Sequence, residues 1–318
     1  MTGYILQRLA QAVPTVLLTT VLIFLILHLV PGDPAAVLAG SDATPDVVEA
    51  LRKEMGLDRS LPVQYGLWFS RVLRGDLGVS YVSKFPVWTL IIGRFPATLE
   101  LTVAGLAVGM ILGVPAGILA AIRRGRLLDF LVSSGNALFL SVPNFWIGII
   151  FILAFALALK WFPPSGRVPF IENPLLAIKF LILPAVTLGM HIAAIFARFT
   201  RTALLEVLSE PFIRTARAKG LREWAVIVRH AFRNALLPVL TILGLQAGYL
   251  LGGAVVVESV FAWPGLGRMI VEGIGNRDYT SVQGVLLVFV GMFTLVNLLT
   301  DLAYGWADPR IRLGGREG

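Results

Sequence analysis

Apolar residues run along this chain in six long stretches, at 10–30, 98–122, 130–159, 180–199, 235–257 and 281–304, with more polar segments between them. A bilayer core about 30 Å thick takes roughly 20 helical residues to cross, so each stretch is long enough to be a transmembrane helix. The first follows Arg8 in the manner of a secretion signal. Its apolar run exceeds the roughly 7–15 residues of a cleaved signal, however, and Pro31-Gly32-Asp33-Pro34 is a poor cleavage context, so it is expected to stay as an anchor.

The intervening segments carry patterns of their own. Within 31–96, Thr44-Pro45-Asp46 starts a helix with Pro at its first position, Val48, Leu51 and Met55 recur on one face, and Gly56 stops it. A second helix is predicted from near Pro62, with Leu61, Tyr65, Trp68 or Phe69, and Val72 at helical spacing and Gly75 at its end. These two amphipathic helices are expected to cap the outer mouth, as a shield for the bundle or as a contact for an external partner. In the second span Gly105, Gly109, Gly113 and Gly117 recur every four residues and Pro115 is expected to interrupt. Small residues at that spacing let helix backbones approach closely, first within the subunit and second at a subunit interface.

The segment 198–238 is the longest predicted on the N-terminal side of the membrane. Ser209 is expected to cap a helix with Pro211 in its first turn, running through Arg214, Thr215, Ala216, Arg217, Ala218 and Lys219 to Gly220. A second helix follows, with Leu221, Trp224, Val228, Ala231 and Ala235 predicted on one face and Arg222, Arg229 and Arg233 on another. A solvated basic loop explains the charges but not the Ala-Gly pattern, which suits a short stiff helix seated in another protein's groove.

Composition sharpens the membrane assignment. Hydrophobic residues make up 57% and charged ones 14%, with a mean hydropathy of +0.81, far on the apolar side of an ordinary soluble domain. The 27 basic against 19 acidic residues give a net charge of +8, but no soluble stretch is large enough for a conventional nucleic-acid module. Fifteen basic and seven acidic residues fall on the side of the termini, which accounts for the whole surplus. The positive-inside rule then predicts cytoplasmic termini. There is no Cys, which excludes disulfides and thiolate chemistry, and three His make a His-rich metal cluster improbable, so no metal site is expected.

No Asp, Glu, Lys or Arg falls at the centre of a span; Glu100 and Asp301 lie near span ends. An ion-coupled carrier ordinarily keeps an ionisable group at its midplane, so its absence argues for an external energy source. The polar interior is limited to residues such as Gln11, His28, Asn136, His191, Gln246 and Asn297. Asn136, Asn144, His191 and Gln246 are the candidate pathway residues; His28 and His191 are gating or substrate residues, or simply bond a neighbouring helix backbone. An intramembrane hydrolase using a Ser and His191 would want a Gly-x-Ser-x-Gly elbow or a His-Glu-x-x-His pair, and neither is present. None of the five Lys sits in a Gly-Lys-Ser/Thr phosphate loop, so any ATP that drives this chain must bind elsewhere.

Thr215-Ala216-Arg217-Ala218-Lys219-Gly220, then Arg229-His230-Ala231 and Arg233-Asn234-Ala235-Leu236-Leu237-Pro238, resemble the coupling loop of bacterial ABC importer permeases of the dipeptide and oligopeptide branch, which includes nickel importers. Pro31-Gly32-Asp33-Pro34, Gly56-Leu57-Asp58, Gly75-Asp76-Leu77-Gly78, Ala97-Thr98-Leu99-Glu100-Leu101, Val256-Val257-Glu258, Trp263-Pro264-Gly265-Leu266-Gly267 and Asp308-Pro309-Arg310-Ile311-Arg312 resemble that branch's first permease in order and spacing. The general permease pattern places Glu-Ala-Ala six residues before the Gly, where this chain has Arg214, Thr215 and Ala216. The resemblance implies an all-α, six-helix, type I importer fold in a bacterial inner membrane. It implies a second homologous permease, two cytoplasmic ATPases that bind ATP and Mg, and an external substrate-binding protein as partners, besides membrane lipid. Arg214 to Gly220 would be the ATPase contacts. The expected division is an anchor at 1–30, a cap at 31–96, a permease core at 97–304 with its coupling loop at 200–234, and a tail at 305–318.

Overall fold

Helices account for every regular element in the computed structural model, which describes residues 2–29, 33–40 and 43–307. Expectations placed on Pro31 and Gly32, on the side chains of Gln11 and His28, and on 308–318 lie outside the described residues. The helices are α1 (Thr2–Leu29), α2 (Pro34–Ala39), α3 (Pro45–Glu54), α4 (Leu61–Leu73), α5 (Val87–Ile122), α6 (Leu127–Ser141), α7 (Asn144–Phe151), α8 (Pro174–Leu208), α9 (Pro211–Ala218), the single turn α10 (Glu223–Ala225), α11 (Arg233–Val260), α12 (Leu266–Gly275) and α13 (Tyr279–Ala307). Two π-helical segments, Ile152–Ala158 and Val226–Phe232, continue α7 and α10.

Three of these helices are long and apolar enough to cross a membrane alone, α5, α8 and α13 over Tyr279–Leu302. Two more candidate spans are bent pairs, and α1 carries a shorter apolar stretch, Val13–Leu25. The expected third span at 130–159 is not one rod. Leu127–Ser141 and Asn144–Ala158 meet at 102°, because the ring of Pro143 disfavours a helical Val142, which is extended at φ −90° and ψ 129°. The second span begins earlier than expected, at Val87, and Pro115 does not interrupt it. The fourth is longer too, since α8 stays helical to Leu208 and shortens the loop expected at 200–234.

The chain forms two compact units, each drawn from separate stretches of sequence. The first comprises Met1–Thr98 and Pro264–Thr294. Its short helices α2, α3, α4 and α12 include one, α2, that the sequence pattern did not predict; α3 and α4 end before Gly56 and Gly75, both in the left-handed region. Phe24 of α1 packs on Tyr65 and Trp68 of α4, and the Thr20 hydroxyl lies 2.9 Å from the Tyr65 hydroxyl. Deeper in, Val87, Ile91, Leu266, Met269, Val282 and Val285 form a closed core.

Leu99–Trp263 and Leu295–Gly318 make the second unit, with α8 packed against α6, α7 and α11. The glycine ladder of α5 faces α8. A Cβ at Gly105 would meet Leu188 at 2.9 Å, one at Gly109 would meet Ile192 at 2.5 Å, and those at Gly113 and Gly117 would strike the carbonyl oxygens of Ala193 and Ala197. The ladder therefore packs within the chain, which was the first of the two expected uses. Arg167 grips Glu100 with two hydrogen bonds of 2.8 and 2.6 Å, tying the loop before α8 to α5. Glu258, just past the expected end of the fifth span, lies inside α11 and is fully buried.

Candidate coupling site

The short helix α9 begins differently from expectation. Glu210 precedes Pro211 at its start without a side-chain cap, while the Ser209 hydroxyl donates back to the Glu206 carbonyl and closes α8 instead. Proline still sets the start, because its missing N–H is one the first turn of a helix leaves unpaired anyway. At the other end Gly220 adopts φ +73°, its N–H donating to the Arg217 carbonyl at 2.9 Å. The left-handed conformation strains any residue with a Cβ, so Gly220 is the turn on which the segment reverses.

Two side chains anchor α9. Ile213 and Ala216 are buried against Ala121 of α5, Ala203 and Leu204 of α8, and Val226, Ala231 and Ala235 beyond the turn. Arg214, Thr215, Arg217, Ala218, Lys219 and Gly220 are exposed, as is Phe212. Of the seven candidates, Ala216 alone faces inward, where its small size permits the close seating. Arg217 is engaged within the chain, through Nε to Glu223 Oε2 at 3.1 Å and Nη2 to Oε1 at 2.6 Å, bridging the turn over Gly220. The guanidinium holds the Glu223 carboxyl below its ordinary value and has its own pKa raised in return. Arg214 and Lys219 have no ion pair among the described residues and are the free cations of the helix.

The stripe expected after Gly220 is out of phase. Ala231 and Ala235 are buried, but Leu221, Trp224 and Val228 are exposed, and Val226 and Ile227 take their place inside. Leu221 precedes the helix, which starts only at Glu223, and the π-helical run Val226–Phe232, whose i→i+5 hydrogen bonds widen the turn, moves the inward face of the rest away from a 3.6-residue repeat. Trp224 is left 71% exposed, a large apolar surface on the segment that carries α9.

The interior candidates fall around α8 and its neighbours. His191 Nδ1 donates to the Phe139 carbonyl of α6 at 3.3 Å, and its ring stacks near Tyr249 of α11, with centroids 6.5 Å apart. The backbone bond is the commonplace role expected of such a His. Asn144 Oδ1, at the start of α7, and Gln246 Oε1 of α11 are buried without a hydrogen-bond partner among the described residues. Asn136 is half-buried on α6, and no hydrogen bond joins it to the other three among the described residues.

Sequence reasoning missed Asp278. Its carboxylate is buried and accepts from Ser80 Oγ, Tyr81 N, Ser281 N and Ser281 Oγ, pinning the turn before α5 to the start of α13. The signal was available, since Asp three residues before Ser281 at the head of an apolar run is an N-cap pattern.

Residues 113–313 match the family profile described as "Binding-protein-dependent transport system inner membrane component", and residues 1–102 match the profile of its N-terminal part. The chain belongs to this family. It is therefore a multi-pass membrane permease of the ABC importer class, a transport component and not an enzyme. The permease is 44% identical over 312 residues to a putative peptide transport system permease protein of Brucella abortus, covering 98% of this chain and 99% of that one. It is 42% identical over 312 residues to the glutathione transport system permease protein GsiC of Escherichia coli K12, with the same coverage. Among solved structures it resembles the inward-facing MetNI methionine ABC transporter, with TM-score 0.58 and 22% identity over 69% of this chain and 96% of that one. An amino acid ABC transporter crystallised with histidines gives TM-score 0.52 and 16% identity over 68% and 93%. At those identities the likeness concerns the fold, which is that of a type I importer permease.

Proposed function

We propose that this chain is one of two homologous permease subunits of an ATP-driven importer for short peptides, glutathione among them, in a bacterial inner membrane with both termini cytoplasmic. An external binding protein delivers the substrate, and two cytoplasmic ATPases, which hold the ATP and Mg, dock on α9. The observation that carries this is the two-sidedness of α9: Ile213 and Ala216 fix it to the bundle, while Arg214 and Lys219 stand outward, without an ion pair among the described residues. A helix built this way passes a push from outside into α5 and α8 without changing its own shape. The substrate class is supported by relatives named for peptide and glutathione transport at 42–44% identity. Purification of the tagged chain tests the assembly. Retention of two ATPases and a second permease is expected, and a chain that transports peptide alone, or whose uptake collapses with the proton gradient while ATP is kept high, contradicts it.

A further inference from the structure

We propose that the cavity within the unit Met1–Thr98 and Pro264–Thr294 is a binding site for a short zwitterionic peptide, carried by the permease itself. The cavity encloses about 490 Å³, bounded by α3, α4, the turn 76–84 and the start of α13. That volume falls within the range of small-molecule sites, and two or three peptide residues fit it.

Gln283 of α13 points to the occupant. It is 7% exposed, it lines the cavity, and its side-chain amide has no hydrogen-bond partner among the described residues. Its polar atoms open on the cavity, so a ligand that replaces their hydration with direct hydrogen bonds gains from the contact. An amide offers one donor group and one acceptor, and a peptide bond offers their complement.

The charges around the same cavity come in both signs. Arg71 and Lys84 stand on its wall, as do Glu54 and Asp76. Arg71, Lys84 and Glu54 have no ion pair among the described residues. Two cations suit a terminal carboxylate and two carboxylates suit a terminal ammonium, whereas an anion or a cation alone would meet like charges as well as opposite ones. Trp68 supplies an apolar wall for a side chain. The placement of Lys84 is also costly. It holds φ +62°, a left-handed conformation that strains a residue with a Cβ, and such strain gathers at ligand clamps. Its N–H donates to the Ser80 carbonyl at 3.0 Å, and Ser80 and Tyr81 are pinned in turn by Asp278. The turn thus holds a cation at the cavity wall against its local preference.

The inference rests on the proposed function for the substrate class alone, since the site shares no residue with α9. The test uses the full chain in lipid nanodiscs, without ATP, ATPases or binding protein, and equilibrium dialysis of labelled trialanine. Saturable binding is expected, weaker by about tenfold for the N-acetylated, C-amidated peptide and by about tenfold in Gln283→Leu, the scale of one lost hydrogen bond to a charged or buried group. Lys84→Gly gives an independent variant, because glycine keeps the φ of the turn while removing the charged side chain; the same loss is expected. Absence of saturable binding to the wild-type chain overturns the proposal, as does equal binding of the blocked peptide or binding that neither substitution weakens. If the assembled importer takes up trialanine while the isolated chain does not bind it, this site falls and the transport function stands.

Discussion

Arg201 of α8 holds Asp129 of α6 through two parallel hydrogen bonds, Nε to Oδ1 at 2.6 Å and Nη2 to Oδ2 at 2.9 Å. Asp129 is buried and also accepts the Gly125 N–H at 2.9 Å, so its carboxylate closes the turn between α5 and α6 as well. Since α8 leads directly into α9, the pair links that short helix to the broken span formed by α6 and α7. Arg201→Lys keeps the charge but loses the two-pronged geometry and is expected to cost about 1–2 kcal/mol. Asp129→Ala leaves a partly buried guanidinium unpaired and is expected to cost more, on the order of 3 kcal/mol. Thermal denaturation of the detergent-solubilised chain should rank the wild type above Arg201→Lys and Arg201→Lys above Asp129→Ala; equal midpoints would show that the pair is ornamental.

The two faces of the glycine question separate cleanly. Gly113→Ala would drive a methyl into the Ala193 carbonyl, forcing α5 and α8 apart at a cost of about 1–3 kcal/mol. Gly135, on α6, has open space at its Cβ position, and Gly135→Ala should be neutral or stabilising by up to about 1 kcal/mol. Yield of monodisperse protein and thermal midpoint report both, and equal behaviour of the two variants would refute the close packing of α5 on α8.

The bracket between Arg217 and Glu223 has a predictable acid response. Glu223 is held below its ordinary carboxylate value, so its contribution is complete above that value and is lost as pH falls through the lowered one. The turn at Gly220 should accordingly resist limited proteolysis equally across the neutral and mildly acidic range, and open only below the ordinary carboxylate range. Glu223→Gln should speed cleavage throughout the neutral range; protection that declines near pH 6 in the wild type would point to a different bracket.

Much of this architecture is legible in the chain because it depends on local spacing. The glycine ladder, the stops at Gly56, Gly75 and Gly220 and the Pro starts of α3 and α9 all follow from what one residue permits its own backbone. The features that escaped depend on geometry that spacing does not encode. Pro143 reads as one more Pro in an apolar run, yet it turns the chain by 102°, while Pro115 leaves α5 unbroken. The π-helical segment shifts the inward face after Gly220, so Trp224 and Val228 exchange sides with Val226 and Ile227. The helix 211–218 could be found from sequence, but not the difference between Ala216, which seats it, and Arg214, which is free. The cavity around Gln283 brings together residues about 200 positions apart, a long-range placement no periodicity reveals.

The central claim, that α9 carries the work of ATP hydrolysis into the bundle, is tested most directly at Gly220. The position needs φ +73° and has open space around its Cβ, so substitutions there act through the backbone and not through a clash. In the reconstituted importer, ATP hydrolysed per peptide imported should rise sharply in Gly220→Val, which resists the left-handed conformation, and stay near the wild-type value in Gly220→Asn, which tolerates it. A Gly220→Val importer with wild-type stoichiometry and rate would contradict the account.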